Sequence, residues 1–171
     1  PRPSPTSWSR EVGTQIMVVA PTHELAIQIH RVCTDLAQHG GLAVRACLLI
    51  GGTPVERQLE KLKKKPHIVV GSSGRIRDLI GMGKLKVHTV RCLVLDEADR
   101  LMGKENRASI EALVKTLPRR RQNVFAAATD SAESLEAMSA LAPALVRVAA
   151  AEAPINPAIE HLYIICEDRK K

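Results

Sequence analysis

Three carboxylates fall within four residues at Asp96, Glu97 and Asp99, directly after the apolar run Val90 to Leu95. An acid at a strand end can hold Mg²⁺ through water while its neighbour polarises an attacking water, the division of labour that nucleoside triphosphate hydrolysis needs. The same acids would also suit the start of any helix, where the dipole favours negative charge. Choosing between these readings requires the elements that position them.

Short apolar runs alternate along the chain with stretches of helical period. Ile16 to Ala20 reads as a strand buried on both faces, followed by a helix carrying Leu25, Ile29, Val32 and Leu36 on one side until Gly40-Gly41. Val44 to Ile50 is a second strand, and after the Gly51-Gly52 turn comes a helix with Val55, Leu59 and Leu62 on one face. Strand Ile68 to Val70, a helix from about Gly74 to Ile80, and strand Val90 to Leu95 continue the pattern. A helix marked by Ile110, Leu113, Val114 and Leu117, strand Val124 to Ala127, and a helix marked by Leu135, Met138 and Leu141 lead to the apolar Leu145 to Val148. Ile159 to Cys166 suits an edge strand or a segment leaving the domain. Alternation of this kind implies an α/β, doubly wound, mostly parallel sheet with helices on both faces. In such sheets ligands sit beyond the carboxyl ends of the strands, so function is expected immediately after each apolar run.

Composition narrows the ligand. At 171 residues, 45% of them hydrophobic, the chain has material for one packed domain. A formal charge of +7 favours a polyanion as partner. Trp8, Phe125 and Tyr163 are its three aromatic residues, too few to stack successive bases, so a nucleic acid would be held by its backbone. The Lys61 to Lys65 cluster reads most simply as a solvated helix end. Cys33, Cys47, Cys92 and Cys166 form no C-x-x-C pair and read as free thiols, and the histidines show no metal-ligand spacing. No apolar stretch approaches the roughly 20 residues of a membrane span, so a cytoplasmic protein is expected.

The residues at the strand ends resemble, in order, the motifs of DEAD-box RNA helicases. Asp96-Glu97-Ala98-Asp99 resembles the motif that names the family, and Pro21-Thr22-His23-Glu24-Leu25-Ala26 its P-T-R-E-L-A element, with His23 in place of arginine. Gly51-Gly52 resembles the double-glycine turn, and Gly71-Ser72-Ser73-Gly74-Arg75 the T-P-G-R element with Ser72-Ser73 in place of Thr-Pro. Ala127-Ala128-Thr129 stands where the family has S-A-T. The resemblance runs from about Gln15 to the C-terminus and is nearest in wording to bacterial members.

It implies a RecA-like fold, with ATP and Mg²⁺ as ligands and RNA as partner. Asp96 would hold Mg²⁺ through water, Glu97 would orient or deprotonate the attacking water, and Asp99 would link the ATP side to Thr129. Pro21, Thr22, Gly51, Gly52, Gly74 and Arg75 would meet RNA phosphates, with Glu24 organising that loop. Physical chemistry agrees: Thr22 and the glycines stand where helices are expected to begin, so N–H groups can approach phosphates closely, and Arg75 adds a permanently charged fork. Such contacts fix position without reading sequence.

The family's glycine-rich phosphate loop ending in Gly-Lys-Thr or Gly-Lys-Ser has no counterpart here, because Gly83-Lys84 and Gly103-Lys104 are followed by Leu85 and Glu105. The expected organisation is an irregular segment over residues 1–13, a partial RecA-like domain over 14–152, and over 153–171 the start of a linker toward a second RecA-like domain. Without its phosphate-loop strand the sheet is expected to expose unpaired backbone groups, which favours a strand-sharing dimer. The alternative function is a non-enzymatic RNA-binding or scaffold domain that retains the fold.

Overall fold

The computed structural model describes residues 13–129 and 131–148. Five strands, β1 (Ile16–Val19), β2 (Ala46–Leu49), β3 (Ile68–Gly71), β4 (Cys92–Leu95) and β5 (Gln122–Phe125), pair in the order β2-β3-β1-β4-β5, every neighbour parallel. Parallel neighbours need long crossovers, and helices supply them. These are α1 (His23–His39), α2 (Val55–Lys63), α3 (Ser73–Gly81), α4 (Ala98–Leu101) and α5 (Arg107–Thr116), with α6 (Ala132–Leu141) after β5. The doubly wound α/β expectation holds.

Alternation along the strands divides the core in two. Met17, Val19, Leu49, Val69, Leu93 and Leu95 point to one face, where they meet apolar residues of α2 to α6. Val18 and Val70 point to the other, packed with Ala26, Ile29 and Cys33 of α1. This corrects the expected buried stripe of α1. Ala26 and Ala37 are its buried positions, whereas Val32 and Leu36 are 55% and 67% exposed. The buried line therefore runs through Ala26, Ile29, Cys33 and Ala37, rotated around the helix from the line through Val32 and Leu36.

β5 starts two residues earlier than expected, and 145–148 form neither helix nor strand, with Val146 and Val148 exposed. Among the described residues β5 pairs only with β4. Beside its free edge lies an open cleft of about 700 Å³ lined by Asn123, Phe125, Leu141, Leu145 and Val148, among others. The segment before Gly13, the edge strand expected over Ile159 to Cys166 and the linker expected over 153–171 lie outside the described residues. No helix among the described residues is long and apolar enough to cross a membrane.

Glycine at the end of β3 is required by packing. A Cβ on Gly71 would lie 1.9 Å from the carbonyl oxygen of Leu49, inside the β2 backbone, whereas a Cβ on Gly74 would meet nothing within 4 Å. Gly71→Ala should therefore destabilise the chain by about 2 kcal/mol or more, lowering Tm by roughly 5 °C or more. Gly74→Ala, in the first turn of α3, should leave Tm unchanged or raise it. Thermal unfolding of the two variants checks this, and equal losses would contradict the packing.

Candidate active site

All five strands end in register, because Val19 stands opposite both Gly71 and Leu95, Gly71 opposite Leu49, and Leu95 opposite Phe125. The loops that follow leave from one rim. Ala20 N donates to Gly71 O, Ser72 N to Leu49 O, Asp96 N to Val19 O and Ala126 N to Leu95 O, each at 3.0 or 3.1 Å. The rim thus carries the loops after β1, β2 and β3 on one side of the sheet and those after β4 and β5 on the other.

On the second side lie the acids. Asp96 is partly exposed, and its Oδ1 accepts from the backbone N–H of Glu97 at 3.0 Å. Glu97 adopts a left-handed backbone, φ 47° and ψ 52°, a conformation uncommon for a residue other than glycine and often found at functional sites. Its peptide neighbour is held in place by Ala98 N donating to Ala126 O at 2.8 Å. Arg100 Nη1 donates to Glu97 Oε2 at 2.9 Å, an interaction the i,i+3 spacing could have revealed but the sequence reading did not weigh.

Asp99 joins the two loops. Its Oδ2 accepts from Thr129 Oγ1 at 2.6 Å and from Thr129 N at 3.2 Å, and its Oδ1 accepts from Arg100 N at 3.1 Å. The Thr129 hydroxyl is the largest cause holding the Asp99 carboxyl below its usual range, helped by the backbone N–H groups and opposed by desolvation. Asp99 is therefore a settled carboxylate with structural partners. Among the described residues no group of three His, Cys, Asp or Glu could enclose a metal. Asp96 fits Mg²⁺ in the looser way typical of that ion, one carboxylate reaching through water while substrate phosphates supply other ligands.

Toward the other end of the rim, Thr22 caps α1, its Oγ1 accepting from Leu25 N at 3.2 Å. Pro21 is half-buried beside it, and Glu24 is exposed in the first turn. Gly51 and Gly52 correct one expectation: they form a turn ahead of α2, whose N-cap is Pro54, so they do not open the helix. Gly52 has φ +71°, which glycine adopts without strain, and a Cβ on Gly51 would lie 3.3 Å from the His23 ring. Gly74 lies exposed in the first turn of α3. Arg75 Nη1 donates to Thr53 O at 3.1 Å, so the guanidinium is anchored to the double-glycine loop. Of the fork's five N–H donors this bond takes one.

Cysteine chemistry plays no part in this arrangement. Cys33, Cys47 and Cys92 are free, and burial raises the pKa of each thiol, that of Cys47 to about 11.

Comparison with known proteins adds a family to this geometry. The family model described as DEAD/DEAH box helicase matches residues 5–138. The DEAD-box ATP-dependent RNA helicase CshC of Bacillus cereus is 43% identical over 159 residues, covering 92% of this chain and 40% of that protein. The probable ATP-dependent RNA helicase YfmL of Bacillus subtilis is 40% identical over 159 residues, covering 92% and 42%. Among solved structures, a DEAD box protein from the hyperthermophile Methanococcus jannaschii superposes with TM-score 0.70 at 28% identity, covering 77% of this chain and 35% of that one. The chain thus spans about 40% of the length of the curated relatives it matches.

Proposed function

The chain belongs to the DEAD/DEAH box helicase family, and from that premise we propose that it is part of the first RecA-like domain of an ATP-dependent RNA helicase. The observation that carries this reading is the placement on one rim of the acid pair Asp96-Glu97 and of Gly52 and Gly74, beside which an added Cβ would meet nothing within 4 Å. Asp99 and Thr129 bind the loop of the acids to the loop after β5. A cytoplasmic location and a second RecA-like domain in the intact protein belong to the same proposal.

In this reading Asp96 would hold Mg²⁺ through water, and the ion, when bound, would supply positive charge against that developing on the transferred phosphoryl group. Glu97 accepts the proton of the attacking water or orients it. The left-handed backbone at Glu97 and the Arg100 contact fix where that carboxylate stands. Thr129 is held to Asp99 by both its hydroxyl and its N–H, so a displacement of one loop must either move the other or break a 2.6 Å bond. On the far side of the rim, Pro21, Thr22, Gly51, Gly52 and Gly74 present backbone to RNA phosphates, Arg75 supplies charge, and Glu24 organises the loop. None of these groups reads a base, which fits action on many RNAs.

In the intact protein, Glu97→Gln should retain ATP and RNA binding while kcat falls by roughly 10²- to 10⁴-fold, because an amide cannot take the proton. Near-parental turnover under saturating RNA would remove Glu97 from that role.

RNA contact is checked with the two residues on α3. Arg75→Ala should weaken all homopolymer RNAs alike and lower the slope of log affinity against log salt by about 0.7, one phosphate contact on a single strand. Gly74→Ala should weaken RNA without lowering Tm, since its added methyl group enters only the space a phosphate would use. A loss confined to one RNA sequence would contradict backbone recognition.

The 171-residue chain alone should release no phosphate from ATP above background, even with Mg²⁺ and RNA. Asp96 and Glu97 serve a metal and a water, but no Gly-Lys-Thr or Gly-Lys-Ser loop in this sequence clamps the phosphates, and such charge stabilisation is usually the largest catalytic contribution. The β5 edge, which pairs with no second strand among the described residues, and the cleft beside it support a strand-sharing dimer of this chain. Phosphate release and sedimentation test both halves, and a monomer that turns over ATP would overturn them.

A further inference from the structure

Gln58 is the buried polar side chain of α2, 2% exposed on the helix face that also carries Val55, Leu59 and Leu62 into the core. Its Nε2 donates to Ile50 O at 2.9 Å and to Thr53 O at 3.3 Å. Those two carbonyls lie on either side of Gly51-Gly52, so one amide bridges the base of the turn. The Oε1 is buried and has no partner among the described residues. Turning the amide over would set that oxygen against two carbonyl oxygens, so the turn dictates its orientation.

Leucine would continue the apolar face and remove the cost of the unpaired Oε1, about 1–3 kcal/mol, but it would leave the Ile50 and Thr53 carbonyls without this donor. What glutamine provides in return is confined to the turn. Thr53 O also accepts Arg75 Nη1 at 3.1 Å, so the same carbonyl receives α2's amide and α3's guanidinium. We infer that Gln58 is a positioning residue for the RNA backbone: it holds the Gly51-Gly52 turn in its phosphate-facing shape and, through Thr53, sets Arg75. This rests on the reading of the turn and Arg75 as RNA contacts.

Two variants of the intact protein test it, with oligo-U as the RNA and wild type measured first at each condition. Gln58→Leu should weaken RNA binding about tenfold, the worth of two lost hydrogen bonds. Its salt slope should match wild type, because no phosphate contact has been removed, in contrast to Arg75→Ala. Gln58→Glu puts a pH handle on the same two bonds, and thermal unfolding at each pH, with binding measured only where the variant is folded, separates positioning from general stability. When ionised it has no donor for the two carbonyls, and when protonated it has one. Its affinity relative to wild type at the same pH should therefore recover as pH falls from 9 to 5.5. A Leu variant that binds RNA as tightly as wild type, or a Glu variant whose ratio to wild type stays flat with pH, overturns the inference. Should Gln58→Leu fail to fold, the Glu series still decides, because it reads how the ratio to wild type changes with pH. A wild-type protein that does not bind oligo-U would sink the RNA reading itself, before either variant is made, and the inference with it.

Discussion

The in-register ending of five parallel strands is the constraint on which the rest depends. Parallel pairing sends every return connection over a face of the sheet, so every forward loop emerges from the same edge. One further backbone bond past four of the five ends ties the loop's first residue to a neighbouring strand: Ala20 to β3, Ser72 to β2, Asp96 to β1 and Ala126 to β4. Loops anchored in this way start from fixed points. Gly71 is where the constraint is tightest, since only a residue without Cβ allows the β2 backbone to pass so closely.

From those anchors the two halves of the rim are built by the same device, a helix side chain satisfying the backbone of a loop. Asp99 of α4 does so for Thr129, and its lowered pKa is the signature of a carboxylate whose charge is already engaged. Gln58 of α2 and Arg75 of α3 do so for the loop after β2. Loop carbonyls and N–H groups taken out of water must find partners, and here the partners come from the helices that start at the rim. β1 stands between the halves, paired with both β3 and β4, so the backbone ladder is continuous from the double-glycine turn to Thr129.

Where the sequence departs from the family's motifs, the neighbourhood shows what replaces the expected group. The His23 ring packs beside Gly51, bringing the loop after β1 against the loop after β2 without a guanidinium. Ser73, at the proline position, has its hydroxyl 3.0 Å from that of Ser109, which ties the start of α3 to α5. Ala127 supplies no side-chain hydrogen bond, and Thr129 carries the connection to Asp99 with both donors.

Much of this was legible in the order of residues. Apolar runs of three to seven residues, alternating with helical periods, determined the class of sheet, because parallel pairing accommodates such alternation. Turn residues and acids directly after those runs located the rim, because strand ends are where backbone groups and charges become available. Three things waited for the packed structure. Which side of α1 is buried was decided by its packing against Val18 and Val70 of the sheet, which took Ala26, Ile29 and Cys33 and left Val32 and Leu36 exposed. The left-handed backbone at Glu97 arises where β4 meets α4, and no residue type announces it. The role of Gln58 was hidden in a helix that reads as polar, since its meaning depends on two carbonyls eight and five residues away that only the fold brings to its amide. Local sequence sets what each segment prefers, and contacts between distant segments choose which of those preferences is expressed.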